Sequence, residues 1–314
     1  MEYEEFKKEL TRRLKEEYGE NTEVGIHTVK RNNGQSYDGI YIIMKETGQT
    51  AAPVIRIDGL YGEYRNGSMD IQECAEEIGR KCKEYEATGD IVEFTSHLTE
   101  WDAIKDRIYP VLLSTDKNRE MLEGLVSTTM LDLSVAYTIR IDGIKGENIG
   151  SIRISRAMLQ YYNIEGSQLH AQAMENLAKD GYSFTDMQSL IRGKLRTEEN
   201  AAENTTDCDM YNEEFEMEDM RAKMYVLTNK IKSYGAAGIL NKKLVREFAK
   251  GHNFFILPSS IHETIFVLAD NIADREIFDN MVEDVNKTQV ITEEQLSDHC
   301  YYYDGQADEI RICA

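Results

Sequence analysis

The chain has 314 residues, of which 41% are hydrophobic, so it is long enough to bury a sizeable core in one large or two ordinary domains. Its 57 acidic and 36 basic residues leave a formal net charge of -21, which repels nucleic-acid phosphates and anionic membrane surfaces. This charge argues against nucleic-acid binding by the chain as a whole and favours a basic partner or simple solubility.

The sequence carries no targeting or membrane signal. Its first twenty residues lack the apolar core of a signal peptide, and no run reaches the roughly 18 apolar residues that a membrane span needs. The five cysteines are widely spaced and include no C-x-x-C pair: Cys74, Cys82, Cys208, Cys300 and Cys313. We therefore expect a cytoplasmic protein with reduced thiols, without a zinc ribbon, another metal site or a membrane contact.

The N-terminal segment predicts a helix followed by a hairpin. Apolar residues recur at spacings of three and four over residues 2–18, at Tyr3, Phe6, Leu10, Leu14 and Tyr18. Two strand-like runs, 23–29 and 39–45, flank the turn-forming residues Asn32, Asn33 and Gly34 and predict a β-hairpin.

The next segment predicts turns and then a second helix. Residues 53–67 read "PVIRIDGLYGEYRNG", for which we expect extended and turn conformations, with the glycines and Asn66 making turns. This glycine-bearing stretch has neither the dinucleotide fingerprint nor the P-loop lysine, so no nucleotide cofactor is expected. The spacing over residues 69–85 predicts a helix with Cys74 and Cys82 near its buried face.

The middle of the chain mixes strands and helices. Pro110 interrupts the strand-forming run 106–115 and indicates an edge or strand-start position. Residues 131–141 alternate cleanly and predict a half-buried strand that pairs with "IGSIRIS". Helices are predicted near Ser155 and over 166–179, the latter ending at Gly181.

An acidic stretch divides the chain. Residues 197–219 contain no lysine or arginine and many carboxylates, so self-repulsion favours a solvated linker or mobile loop. We therefore predict an N-terminal α+β region over 1–196, a linker over 197–219 and a C-terminal α+β region over 220–314.

The C-terminal region has a clear order of elements. It consists of a strand at 223–229, a helix over 233–251, strands 253–257 and 262–268 joined by Pro258, Ser259 and Ser260, a helix over 271–286, and one or two closing strands from residue 298 onward. This β-α-β-β-α-β order is typical of a ferredoxin-like split βαβ sandwich. The predicted fold class is α+β with mixed or antiparallel sheets.

Ser260, His262 and Glu263 place a hydroxyl, an imidazole and a carboxylate within four positions. These groups are used in nucleophilic and in metal-assisted catalysis. Strand alternation, however, would point His262 and Glu263 to opposite faces. The metalloprotease motif needs a second histidine where Phe266 stands, and a serine hydrolase needs a third orienting carboxylate that the sequence does not identify. A hairpin turn with a polar tip is the favoured interpretation.

A second constellation involves His299, which follows Asp298. If the closing strand lies near the hairpin, His262 and His299 with Asp298 or Asp270 could converge as a metal or acid-base site. The alternative is that each histidine is a partly buried polar side chain at a sheet end. The candidate catalytic residues are thus His262, His299, Asp298 and Ser260.

Several segments together resemble a known bacterial family. They are "IYPVLLST" at 108–115, "VLTN" at 226–229, "GAAGILN" at 235–241, "ILPSSIHETIFVLAD" at 256–270 and "VITEEQLSDHCYYYDG" at 290–305. This pattern resembles domain of unknown function 5688 and, more distantly, the YtpQ-like family, domain of unknown function 1444. The resemblance implies a cytoplasmic protein of Gram-positive, Clostridia-like bacteria, and it implies no activity.

The sequence favours a cytoplasmic binding or regulatory protein without catalytic activity, acting on a protein partner or on a second copy of itself. The acidity and the lack of any complete catalytic motif support this interpretation. The alternative is a metal-dependent or hydrolytic enzyme that uses His262 and His299 with nearby carboxylates. Whether the protein is an enzyme stays open at this point.

Overall fold

The computed structural model describes residues 1–44, 52–84, 97–141, 150–190, 224–269 and 275–313. These residues form two compact units. Unit 1 comprises Met1–Tyr109, Lys117–Ser127 and Ala136–Ala173, and unit 2 comprises Pro110–Asp116, Thr128–Val135 and Met174–Ala314. The predicted linker over 197–219 lies outside the described residues, so that boundary stays a prediction.

The described helices are, in chain order, α1 (Tyr3–Tyr18), α2 (Asp58–Asn66), α3 (Ile71–Glu84), α4 (Trp101–Ile104), α5 (Arg119–Gly124), α6 (Arg156–Tyr162), α7 (Gly166–Lys179), α8 (Lys242–Ala249) and α9 (Arg275–Thr288). The strands are β1 (Thr22–Lys30), β2 (Ser36–Met44), β3 (Ile55–Arg56), β4 (Ile108–Ser114), β5 (Ser127–Met130), β6 (Leu133–Ile141), β7 (Gly150–Arg153), β8 (Ser183–Asp186), β9 (Met224–Thr228), β10 (Phe254–Ser260), β11 (Glu263–Leu268), β12 (Tyr301–Asp304) and β13 (Glu309–Ile312). The neighbouring strands that pair are antiparallel, and the α+β class predicted from the sequence is confirmed.

Helix α1 and the β1-β2 hairpin build the first core of unit 1. Phe6, Leu10 and Leu14 are fully buried on one face of α1, which packs against β1 and α3. The hairpin pairs Thr22 with Met44 through Lys30 with Ser36. Both elements form where the sequence predicts them, because periodic apolar residues and turn-forming residues are local signals.

Helix α2 corrects the prediction of turns over residues 53–67. Gly59 lies inside the helix and Gly67, at φ +80°, ends it in the left-handed conformation. Aromatic rings explain why a glycine-rich segment is helical, since Tyr61 and Tyr64 each place a ring 5.2 Å from Phe6. Burial against α1 outweighs the roughly 1 kcal/mol that a glycine costs inside a helix.

Strand β6 corrects a second prediction. All nine of its residues are buried, whereas the alternation predicted one buried and one exposed face. Its polar side chains are satisfied inside the fold. Thr138 Oγ1 donates to the Ile152 carbonyl at 3.1 Å, and the Arg140 guanidinium lies over the Tyr109 ring at 3.5 Å from its centre. Strand β6 is flanked by paired strands, with the Pro110-bearing β4 at the edge as predicted.

Unit 2 contains a six-stranded sheet in the order β13-β12-β10-β11-β9-β8. The predicted chain order β-α-β-β-α-β is confirmed within it. Strand β11 inserts between β9 and β10, and β10 inserts between β11 and β12, so both βαβ units are split. Helix α9 packs on β10 through Phe278 and Val282, while Ile277 is 60% exposed.

The helix predicted over 233–251 is broken in two. Gly235–Leu240 form a 3-10 helix, and α8 begins after Asn241, whose side chain accepts a hydrogen bond from the Leu244 N–H at 3.1 Å. An asparagine in this position caps a new helix rather than continuing an old one. The break holds the 3-10 segment against β9 and β11.

Candidate functional site

The hairpin tip that carries Ser260 and His262 differs from its prediction. The structure places the turn at Ile261 and His262, and Pro258 lies within β10 rather than in the turn. A register shift between Leu257 and Ser260 makes room for the proline, since a bulge tolerates a residue without an N–H. Ser260 Oγ accepts a hydrogen bond from the His262 N–H at 3.0 Å, so the hydroxyl stabilises the turn.

The His262 ring is held by neighbours within unit 2. Its Nδ1 accepts a hydrogen bond from the Tyr234 N–H at 3.1 Å, which leaves the ring proton on Nε2. Nε2 lies 3.5 Å from Glu294 Oε1, and the His262 carbonyl accepts from Thr228 Oγ1 at 2.9 Å. These contacts join the hairpin tip to the end of β9 and to the segment around Tyr234. His262 therefore has a positioning role, because it holds these segments together.

We expect replacement of His262 by alanine to lower the free energy of unfolding by about 1–2 kcal/mol, because the Tyr234 N–H loses this acceptor. His262→Asn should recover part of the loss, since its side-chain oxygen can stand near the place of Nδ1. Chemical denaturation followed by circular dichroism measures both variants. Equal stabilities for the alanine variant and the parent would rule out the positioning role.

His299 has a different set of partners. Its Nδ1 lies 3.4 Å from Ser297 Oγ, and its Nε2 lies 3.5 Å from Asp132 Oδ2, a distance suited to an ion pair with a protonated ring but without hydrogen-bond geometry. Tyr301 donates to the other oxygen of Asp132 at 2.9 Å. Burial raises the pKa of Tyr301 above its usual range, so its hydroxyl remains a donor.

Asp298 and the two histidines use different partners. Asp298 Oδ1 accepts from Asn286 Nδ2 of α9 at 3.1 Å, while His262 faces Glu294 and His299 faces Asp132. Asp270, the other carboxylate considered for the constellation, lies outside the described residues. Across the described ranges no group of three or more histidine, cysteine, aspartate or glutamate side chains is arranged to hold a metal ion.

Unit 2 also contains a cavity that the sequence did not indicate. Its volume is about 370 Å³, within the range of ligand pockets. It is lined mostly by apolar side chains from the β5-β6 turn, the 3-10 segment, α8, β12 and β13: Met130, Leu131, Ile239, Leu240, Lys242, Val245, Tyr303, Asp308, Glu309 and Ile310. A β12-β13 hairpin in which Tyr303 faces Ile310 was the signal that could have indicated this cavity.

Leu131 at the cavity is strained and exposed. Its φ of +57° is the left-handed conformation, an outlier for a bulky side chain, and its side chain is 40% exposed. Strain of this kind costs about 1–3 kcal/mol and clusters at sites of function. An exposed leucine held in such a conformation therefore makes this rim of the cavity a candidate functional site.

Charged groups border the cavity. Asp308 accepts hydrogen bonds from Arg246 and from the Tyr303 hydroxyl, and these, led by Arg246, lower the pKa of Asp308 below its usual range. Burial, aided by the bond to Asp308, raises the pKa of Tyr303 to about 12. Tyr303 is therefore a neutral donor that fixes Asp308 at one side of the cavity, next to the exposed Glu309.

The chain matches a known protein family over most of its length. Residues 3–305 match a family of unknown function, DUF5688. The chain belongs to DUF5688. The match takes in His262 and His299 and confirms the resemblance drawn from residues 108–305, while the resemblance to the YtpQ-like family stays a prediction. No curated protein and no solved structure matches the chain.

Among the described helices of this DUF5688 chain, none is both long enough and apolar enough to cross a bilayer.

Proposed function

We propose that the protein is a binding or regulatory protein without catalytic activity, and that unit 2 takes an extended basic segment of a partner protein along β13. The observation that carries this proposal is an apolar cavity of about 370 Å³ beside the end strand of the sheet. An apolar side chain of the partner fills the cavity. The backbone of the partner pairs with β13.

Strand β13 supports this mode of binding. It is the last strand in the described order, and it pairs with β12 on one side only. An end strand offers its outer N–H and C=O groups to another chain. Ile310 and Glu309 both line the cavity, and Glu309 and Arg311, on either side of Ile310, are exposed. A segment added beside β13 would place an alternate side chain near the cavity.

Charge favours a basic partner over a second copy. Two chains of net charge -21 repel each other at long range, whereas a basic segment is attracted and its association is accelerated. The nearby arginines do not cancel this effect, because Arg246 is paired with Asp308 and Arg311 with Asp304. Self-association is therefore an outcome of the test rather than the proposal.

The test compares peptides of about ten residues that alternate leucine or valine with threonine and that are flanked by lysine or by glutamate. We expect the lysine-flanked peptides to bind in fluorescence anisotropy and the glutamate-flanked peptides to bind at least about tenfold more weakly. Leu131→Asn should weaken binding about tenfold, since it removes apolar surface at the cavity.

Leu131→Asn should at the same time keep or raise the thermal midpoint, because asparagine tolerates the left-handed conformation that strains leucine. Tyr161→Asn, at a 68% exposed position of unit 1, is the matched control and should leave binding unchanged. No binding at about 1 mM peptide, or equal binding by Leu131→Asn, would refute the proposal. Dimerisation that needs Leu131 would instead identify a second copy as the occupant.

A metal-dependent or hydrolytic enzyme is the second candidate. One observation favours it, since His299 lies between Ser297 Oγ and Asp132 in the serine-histidine-aspartate order. The burial of Ser297, which is 3% exposed, opposes it because a nucleophile must reach its substrate. Stoichiometric zinc or manganese in the purified protein, lost in His262→Ala or His299→Ala, would favour the enzyme.

The proposed setting is the cytoplasm of Gram-positive bacteria, as the family resemblance implies. The described cysteines, Cys74, Cys82, Cys300 and Cys313, are free thiols, which is the ordinary state in a reducing compartment. The net charge of -21 supports a role that involves neither nucleic acid nor anionic membrane surfaces.

A further inference from the structure

Two buried thiols face each other across the β12-β13 hairpin. Tyr301 pairs with Ile312 in this antiparallel ladder, so the next facing pair is Cys300 and Cys313. Their sulfur atoms lie 3.3 Å apart, with the Cys300 S–H donating to Cys313 Sγ. Facing positions of an antiparallel ladder are about 4.5–5.5 Å apart between Cα atoms, which is within the range that a disulfide spans.

We propose that Cys300 and Cys313 form a reversible disulfide that ties β13 to β12 when a low-molecular-weight disulfide such as oxidised glutathione is available. The sulfur atoms must approach from 3.3 Å to about 2.05 Å, which needs only side-chain movement because the ladder already aligns the two residues. This inference rests on the hairpin and does not require the proposed binding function.

The chemistry proceeds by two exchanges. The Cys313 thiolate attacks one sulfur of oxidised glutathione, which forms a mixed disulfide and releases one glutathione thiolate. Cys300 then loses its proton to solvent and attacks the Cys313 sulfur, which releases the second glutathione. The two protein thiols are oxidised to one disulfide, and one glutathione disulfide is reduced to two thiols.

The surroundings decide which thiol reacts first. Cys300 is fully buried, and Cys313, which directly follows the last described strand, is 8% exposed. The hydrogen bond between them raises the pKa of Cys300 and lowers that of Cys313. From α9, the Asp279 carboxylate accepts the Cys300 N–H at 2.8 Å. Burial and Asp279 oppose the Cys313 thiolate and Arg275 favours it, so the hydrogen bond from Cys300 is the main cause of the lowered pKa of Cys313. Cys313 is thus the attacking thiol and Cys300 the resolving one.

The remaining described cysteines supply the control. Cys74 is fully buried in α3, and its sulfur contacts the Leu60 carbonyl rather than another thiol. Burial alone would make Cys74 and Cys300 behave alike towards an oxidant. A difference between them therefore reports the cross-strand pairing.

The test incubates the native full-length protein in glutathione buffers of stepped redox ratio, followed by acid quenching, thiol alkylation and peptide mass spectrometry. We expect one linked species that joins Cys300 to Cys313, with loss of both alkylation sites, while Cys74 stays alkylated. Cys300→Ser should accumulate a glutathione adduct on Cys313. The thermal midpoint of the oxidised parent should be higher than that of the reduced protein, a shift absent in Cys300→Ser.

Two results would overturn the proposal. The first is full alkylation of both thiols in the native protein under conditions in which the urea-denatured chain forms disulfides. The second is the appearance of glutathione adducts alone, or of links to Cys74 or Cys82, in the parent. A folded Cys313→Ser variant that still loses Cys300 alkylation at the parental rate would refute the order of attack.

Discussion

Replacing Gly235 by alanine is expected to destabilise the protein by about 3 kcal/mol. A Cβ atom at this position would lie well inside 3.0 Å of both Thr228 Oγ1 and the His262 carbonyl oxygen, a separation that real Cβ atoms essentially never show. One of the two obstacles is backbone at the hairpin tip, so it cannot swing away. The clash must shift either β11 or the 3-10 segment, and both belong to the packed part of unit 2.

Urea denaturation followed by far-ultraviolet circular dichroism measures the effect. Gly59→Ala and Gly62→Ala are the matched controls, because nothing lies within 4 Å of the added methyl group in α2. Each control should raise the free energy of unfolding by about 0.5–1 kcal/mol. The double variant Thr228→Ala with Gly235→Ala should stay destabilised, since the His262 carbonyl remains. A Gly235→Ala protein as stable as the parent would contradict the close approach.

Truncating Phe266 to alanine is expected to cost about 3–5 kcal/mol. Its side chain is fully buried on the α8 side of the sheet, among the rings of Phe184, Phe248 and Phe254. The Phe184 ring meets it edge-on at 4.9 Å, a favourable aromatic geometry. Removing the ring leaves a cavity between strands β8, β10 and β11 and helix α8, which can close only if one of these elements moves.

Thermal and chemical unfolding of Phe266→Ala and Phe266→Leu separates the lost ring contacts from the cavity. The leucine variant keeps most of the volume and should cost about 1–2 kcal/mol. Tyr161→Ala, at a 68% exposed position, should change stability by less than about 0.5 kcal/mol. A loss below about 1 kcal/mol for Phe266→Ala would place this cluster outside the cooperative core.

Local periodicity predicted the elements whose signals lie within a few residues. The apolar stripe of α1 and the turn-forming residues between β1 and β2 are of this kind, and so are the two βαβ units of unit 2. Helix α2 was missed because its stability comes from Tyr61 and Tyr64 packing on Phe6, more than fifty residues earlier. No local signal reports such a contact.

The candidate site illustrates the same limit. The sequence singled out His262 and His299 as histidines beside carboxylates, but their partners are Glu294 and Asp132, which are distant in the chain. The left-handed conformation of Leu131 cannot be predicted from the sequence, because leucine rarely adopts it. The cavity beside β13 depends on such positions, and alternation in one strand does not reveal it.

The sequence by itself determined the fold class, the order of the strands and helices over residues 224–312, and the net acidity of the chain. Those properties follow from composition and from periodicities of two and 3.6 residues. The tertiary structure alone decided that Cys300 faces Cys313, that His262 accepts the Tyr234 N–H, and that a cavity lies beside β13. Each depends on strand register and packing between distant segments, and a one-residue shift in register would abolish the cysteine pair.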